Sequence, residues 1–431
     1  MLNWIWIILV VSAIAYGGAL GTLDAVNQSI FDSAKAAVKI VIGLVGVMAI
    51  FLGAMRVAFD GGLRDLIARA IAPALRRLFP DVPPDHPAMG AMIVNMSSNA
   101  LGLGNAATPF GLKAMAELAK LNPFPGVASN PMVLFLAINT SQLALVPLGT
   151  VSLRAIEGSV DPWAIWVPSL IASGCATVAG IAAFYFFGQF KVFKARPDAA
   201  AASQVEVMEI GDIEDDSTLA TPDAGPWRLL AGSAAGLLIL GVMCTDLWRS
   251  DASGVQLLKY FAGSWLTALF FGGMVLYGFA KGVRVYESAV AGAKDGLEVG
   301  IRITPFLIVI LVAIGMLRAS GALDALIGVL DPVTSLFGVP AEVLPMALVR
   351  PLSGTGALGV MSEIMINYGP DSFVGQLSGV LMGSTETTFY VLALYYGAAG
   401  VVVTRHTVLA CLTADFAGFC GAVAASHWWF S

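Results

Sequence analysis

Charge is what this sequence has least of. Asp, Glu, Lys and Arg make up 12% of its 431 residues against 58% hydrophobic ones, and the mean hydropathy is +0.82. A soluble globular chain carries roughly 25% charged residues, so a water-filled surroundings is excluded as the expectation. Cysteine is nearly as scarce. Cys175, Cys244, Cys411 and Cys420 stand singly in apolar runs with no CxxC spacing, which fits small packing residues rather than a disulfide framework or a zinc site. The three histidines are scattered and form no H-E-x-x-H pair or nucleophile triad, and no GxxxxGK[ST] loop is present to cradle a phosphate. An enzyme and an ATP-driven pump are therefore not expected, nor is a metal or resident cofactor. The net charge of −6 comes with no basic patch, which argues against nucleic acid as a partner.

What the chain has instead is long apolar runs. Nine approach the roughly 20 residues that cross a bilayer, at 5–20, 37–55, 131–151, 164–187, 227–242, 257–279, 303–316, 373–398 and 407–430. The first lacks a basic flank and reads as a retained span rather than a leader peptide. The expected fold is an all-α polytopic membrane protein with about nine transmembrane helices. Residues 60–79 differ in kind: Leu63, Leu66, Ile67, Ala70, Ile71, Ala74, Leu75 and Leu78 follow one helical face, while Arg64, Arg69, Arg76 and Arg77 take the other. That is an amphipathic helix lying on an anionic lipid surface.

Two stretches break the apolar pattern, residues 95–111 (NMSSNALGLGNAATPFG) and 350–359 (RPLSGTGALG). Unpaired backbone in hydrocarbon costs several kcal/mol per group, so irregular sequence at membrane depth belongs inside protein or against a wet cavity. Each stretch sits between helical halves too short to span, which predicts a re-entrant hairpin. The two also suggest an internal repeat. Asp32, Ser33 and Lys39 match Glu287, Ser288 and Lys294; Gly62, Asp65 and Pro73 match Gly321, Asp324 and Pro332; Gly111 matches Gly359; and 139–142 matches 383–386, all in one order. The expected organisation is a first gate repeat at 1–190, an acidic cytoplasmic linker at 191–226, an extra span at 227–246 and a second repeat at 257–431.

One unmatched span inverts the second repeat relative to the first. With the Arg-rich helix inside, sixteen Lys and Arg fall on the cytoplasmic side and seven outside, the asymmetry that orients membrane proteins. The second amphipathic segment, 322–337, keeps Asp324 and Asp331 but has no Lys or Arg, as an external copy should. The N-terminus is then expected in the cytoplasm, the C-terminus outside, and the chain in a bacterial inner membrane. Inverted repeats with interrupted helices meeting near the midplane are the plan of secondary transporters.

Candidate site residues follow from polar side chains at those interruptions. Asn95, Asn99, Asn105 and Thr108 belong to the first hairpin, and Asn139, Ser141 and Gln142 interrupt the run that follows. In the second half Ser353 and Thr355 lie in the hairpin, while Ser384, Thr385, Glu386 and Thr387 place a carboxylate among hydroxyls. An ionisable residue inside a membrane is a functional-site candidate by default, so Glu386, with Arg350 and Asp415, is assigned to ion coupling or charge pairing. No cofactor is expected beyond a coupling Na⁺ or H⁺.

The motifs NMSSNALGLGNAATPFGLKAM in the first half and RPLSGTGALGVMSE with GSTETTFYV in the second resemble spore maturation proteins A and B joined end to end. Residues 1 to about 190 resemble the A protein and about 225 to 431 the B protein. The resemblance implies a nucleoside-recognition or gate domain in each half, of the kind found in concentrative nucleoside transporters and in the membrane part of the ferrous-iron transporter B. Ser384-Thr385-Glu386 is similar to the Gln-Thr-Glu motif whose side chains bind the nucleoside there. Here Ser384 replaces Gln, and Thr387-Thr388 replaces the usual Ala-Pro.

The function expected is a secondary transporter of a small polar solute, nucleoside-like or other, working by alternating access. The alternatives are a flippase for a lipid or lipid-linked precursor and a non-transporting assembly factor. Partners are membrane lipids and the solute, and a homo-oligomer is compatible with the sequence.

Overall fold

The computed structural model describes residues 2–102, 104–194, 225–250 and 252–430, with the side chains of residues 2, 3, 5 and 104–106 outside that description. Most of the linker expected at 191–226, with its acidic run, lies outside the described residues, as does the side chain of Asn105. The described residues form seventeen α-helices and no β-strand, with one isolated bridge between Val127 and Val403.

The first half runs α1 (Leu2–Leu20), α2 (Leu23–Asp60), α3 (Leu63–Leu78), α4 (Pro87–Ala100), α5 (Gly104–Lys120), α6 (Asn130–Ser141), α7 (Leu148–Ile156) and α8 (Trp166–Gly188). A further helix, α9 (Pro226–Arg249), precedes the second half. There the same order returns as α10 (Val255–Ala280), α11 (Val285–Ala319), α12 (Ala322–Thr334), α13 (Leu344–Val349), α14 (Gly354–Tyr368), α15 (Phe373–Ser384), α16 (Thr388–Ala398) and α17 (Thr407–Phe430). Helix α3 and its counterpart α12 each start at a left-handed glycine, Gly62 (φ 85°) and Gly321 (φ 83°), and each contains a proline, Pro73 and Pro332.

Of the nine apolar runs, six become unbroken helices long enough to cross a membrane, and the first becomes the shorter α1 of 19 residues. The runs at 131–151 and 373–398 break. Helix α6 stops at Ser141 because Gln142 turns left-handed (φ 36°), and Pro147 precedes α7. Helix α15 stops where Thr385 becomes extended. These two spans are pairs of half-helices, and two hairpins, α4–α5 and α13–α14, complete the set. The chain turns by 109° between Ala322–Phe337 and Ala341–Val349, which takes it from α12 into the second hairpin.

The two halves are bolted together by α2 against α11. Their contacts pair Ser33 with Gly315, Val45 with Gly300, Ala49 with Gly296 and Leu52 with Gly292. One number rises as the other falls, so the helices are antiparallel. Small residues allow this approach: a Cβ on Gly296 would stand 2.6 Å from the Ala49 Cα. Helices α8 and α17 pair the same way, Gly180 with Ala414, Ala176 with Gly418, and Cys175 with Gly421. Both are pairs of corresponding elements, so the second half is inverted relative to the first.

The core divides accordingly. One apolar cluster gathers Leu44, Leu307, Met346, Met361 and Leu377 around the second hairpin, and another gathers Met89, Met92, Met115, Met132 and Phe135 around the first. Each hairpin is therefore wrapped by protein, as its irregular backbone requires.

Candidate functional site

The two helix breaks meet. The backbone N–H of Glu386, in the α15–α16 break, donates to the carbonyl of Thr140, at the end of α6, at 2.7 Å. Each break is also stitched to the hairpin of its own half. Leu145 N–H donates to the Ala100 carbonyl at 2.7 Å, and Phe389 N–H donates to the Pro351 carbonyl at 3.0 Å. Trp166 Nε1 donates to the Leu145 carbonyl at 2.8 Å. These bonds answer the question the sequence raises, namely where unwound backbone finds partners inside a membrane.

Arg350 spans the junction. It is 5% exposed. Its Nη1 donates to Thr387 Oγ1 at 3.3 Å, and its Nη2 donates to Gln142 Oε1 at 3.2 Å and to the Thr385 carbonyl. Glu386 Oε2 stands 3.9 Å from Nη2 and keeps 29% of its side chain accessible. One guanidinium thus holds the second hairpin to the breaks of both halves. Beside it, Thr388 Oγ1 donates to Asp415 Oδ2 at 2.8 Å.

The other expected site residues fall into two groups. Asn99 Nδ2 donates to Asn139 Oδ1 at 2.9 Å, tying the first hairpin to α6. Asn95 Nδ2 donates to the Ala107 carbonyl at 2.8 Å and to Tyr395 Oη at 3.3 Å, so it joins the two hairpin legs to α16 of the other half. Ser353 caps α14 by accepting from Gly356 N–H at 3.0 Å, with Thr355 Oγ1 at 3.4 Å. Ser141 and Ser384 instead turn back onto their own helices, donating to the Ile138 and Leu381 carbonyls at 2.8 Å. Thr108 is half-buried on α5.

Three participants escaped the sequence reading. Thr140 takes part through its carbonyl, which no side-chain pattern reveals. Thr388 belongs to the same hydroxyl run as Thr387, and its hydroxyl, not a position chosen from the run, reaches Asp415. Tyr395 follows Thr388 at i+7, a same-face spacing that could have found it.

Two arginines, one buried and one half-buried, clamp the halves at opposite ends. Arg154, at the end of α7, has no exposed surface and donates to the carbonyls of Pro162, Asp161 and Pro370, to Ser159 Oγ and to Asp371 Oδ1. Arg405, in the loop before α17, donates to the carbonyls of Phe193 and Ala128 and to Asn130 Oδ1. Each thereby reaches across to the start of the other half's broken span, α15 and α6 respectively. Next to Arg405, His406 is fully buried between Phe184 and Phe193. Burial, aided by the Arg405 charge, pushes its pKa down to about 4.

Two adjoining cavities of about 300 and 530 Å³ open at the Arg405 end, sharing Asp81, Asn130 and Gly188 in their walls. They are apart from the Arg350 junction and lead toward the mouth of the first hairpin.

Antiparallel copies, each with a re-entrant hairpin and a broken span, define a multi-pass membrane protein of paired gate domains. Residues 41–157 and 300–402 match the gate family model, described as nucleoside recognition, and the chain belongs to that family. It is 42% identical over 191 residues to spore maturation protein A of Bacillus subtilis (strain 168), covering 43% of this chain and 96% of that protein. It is 49% identical over 146 residues to spore maturation protein B of the same organism, covering 34% of this chain and 82% of that one. Among solved structures it is similar to the Alcanivorax borkumensis YdaH transporter, with a TM-score of 0.41 and 12% identity over 99% of this chain and 97% of that one.

Proposed function

We propose that this chain is a secondary transporter of a small polar solute, coupled to H⁺ or Na⁺, in which the solute site alternates between the two membrane faces. The observation that carries the reading is the crossing of the two breaks, Glu386 N–H on the Thr140 carbonyl, with Arg350 bridging both. Interrupted helices from inverted repeats bring backbone dipoles and polar side chains to a shared place that helices alone would keep apolar. Around it Gln142, Glu386 and Thr387 offer an acceptor amide, a carboxylate and a hydroxyl, a set suited to a solute bearing hydroxyls or N–H groups. The family description, nucleoside recognition, makes nucleosides the first class to try.

The same reading puts the chain in a bacterial inner membrane with its N-terminus in the cytoplasm and its C-terminus outside. The Lys and Arg asymmetry supports this, as does the contrast between α3, with four arginines, and α12, with none. Of the expected site residues, Gln142, Arg350, Thr385, Glu386, Thr387 and Asp415 form the core of the proposed site. Asn99, Asn139, Ser353 and Thr355 support it.

The test is uptake by purified protein in liposomes, using radiolabelled nucleosides, amino acids and short peptides under imposed proton or Na⁺ gradients. Gradient-driven accumulation of one class, abolished by Glu386→Gln, is the expected result. Movement of dye-labelled lipid across the bilayer with no solute accumulation would replace this reading with a flippase. Neither activity would leave an assembly factor.

A further inference from the structure

Charge at the junction does not balance. Arg350 supplies one positive charge, while Glu386, 3.9 Å away, and Asp415, within its electrostatic reach, supply two carboxylates. Two atoms of this cluster are buried with no hydrogen-bond partner among the described residues, Arg350 Nε and Asp415 Oδ1. The second oxygen of Asp415 is held by Thr388 alone, at 2.8 Å. A buried carboxylate with one bare oxygen and no cation of its own is the arrangement that a bound proton relieves, because neutralising the group removes most of its desolvation cost.

The surroundings leave few other ways to cancel the charge. Arg350 is engaged by Glu386, Gln142, Thr385 and Thr387. Cys411, one turn back on α17, also faces Asp415, and Tyr395 on α16 faces Glu386. Helices α6 and α15 carry no titratable side chain. Helix α8 carries Cys175 and Tyr185, which pack beside Gly421 and Phe184. No second cation is among these groups.

We propose that Asp415 is a single-proton binding site, loaded when Arg350 and Glu386 form a matched pair and emptied when a further positive charge or the opposite membrane face takes over. This rests on the transporter reading for its consequence: the coupling ion is H⁺ rather than Na⁺, one per cycle. Glu386, the accessible carboxylate, then faces solute, while Asp415, the enclosed one, holds the proton. Two half-buried carboxylates flanking one guanidinium take different tasks because Asp415 has a fully enclosed, unpartnered oxygen, whereas Glu386 keeps 29% of its side chain accessible.

The proton itself is the probe. Infrared difference spectra of the full chain in liposomes, taken as pH is raised, are expected to show loss of a protonated-carboxyl C=O band that shifts in D₂O. Asp415→Asn should remove the band, and Glu386→Gln, which leaves Arg350 to Asp415 alone, should make it disappear at a lower pH than in the parent. Asp415→Glu should restore it at a displaced frequency, which separates loss of the site from loss of the fold. A band that survives Asp415→Asn, one lost only in Glu386→Gln, or one discharged by Na⁺ at constant pH overturns the assignment. No solute is needed for this readout, so its failure is distinct from failure of the transporter reading. Solute uptake without the band sinks the proton site alone, and the band without any uptake sinks the transporter alone.

Discussion

Arg154 makes five hydrogen bonds, three within its own half and two, to Pro370 and Asp371, across to the other. Its partners include three carbonyls, two of them in its own half and one, Pro370, in the other. Removing one member of a buried charged network leaves its partners unsatisfied and costs about 3–5 kcal/mol. Arg154→Met is expected to lower thermal stability in detergent by an amount at the lower end of that range. Asp371→Asn should cost much less, since Asp371 is 38% exposed on its side chain and solvent screens it. Equal losses for the two would show that the salt bridge, not the carbonyl clamp, matters. His406 supplies a pH dependence. Its folded pKa, about 4, lies below the ordinary 6.5, so between these values the unfolded chain binds a proton that the folded chain refuses. Stability should therefore fall as pH drops from 6.5 toward 4, by up to about 1.4 kcal/mol per pH unit from this group. Melting temperatures of His406→Gln against the parent over that window check it: the variant's curve should be flatter, and an unchanged slope would assign the acid sensitivity elsewhere.

At the scale of elements, the join of α2 and α11 depends on absent side chains. Gly296→Leu would drive a Cβ to 2.6 Å from the Ala49 Cα, backbone that cannot yield by rotating, so a loss of about 3 kcal/mol or more is expected from overpacking. Gly236 on α9 has nothing within 4 Å of its added Cβ, and Gly236→Leu should stay within about 0.5 kcal/mol of the parent. Size-exclusion profiles and melting temperatures of the pair decide it, and equal behaviour would mean the helix pairing is wrong. Much of this architecture could be read from the chain beforehand. The apolar runs, the amphipathic arginines of α3, the glycine-rich hairpin tip and the matched Gly62 and Gly321 are local signals, carried by residues close in sequence. What could not be read is contact through space. Arg350 and Gln142 are 208 positions apart, and nothing local says that they touch. The ends of the two broken spans differ by one from the sequence register: aligning 139–142 with 383–386 sets Gln142 opposite Glu386, whereas α6 ends at Ser141 and α15 at Ser384, which sets Gln142 opposite Thr385. A left-handed turn in one break and an extended residue in the other are shapes that side-chain identity does not record.

Over the whole molecule, opposite faces carry opposite clamps, Arg154 at one and Arg405 at the other, and that polarity can be tested directly. Val160 lies in the loop before α8 and Val192 just after it, both well exposed, at 95% and 80%. The 23 residues of α8 separate them by about 35 Å, at 1.5 Å per residue. Single-cysteine variants Val160→Cys and Val192→Cys in a cysteine-free background should react with a membrane-impermeant maleimide from opposite sides of sealed vesicles. Val160→Cys should label from outside. Labelling of both from one side would remove α8 as a span, and reversed labelling would invert the proposed orientation. Helix α9 bears on the same geometry in another way. It buries one residue, Gly232, so packing hardly explains its presence. The relatives that match the two halves are separate polypeptides, whereas here one chain carries both. Within one chain a single added crossing makes the relative direction of the two halves a matter of parity, and their tandem arrangement fixes them at one to one.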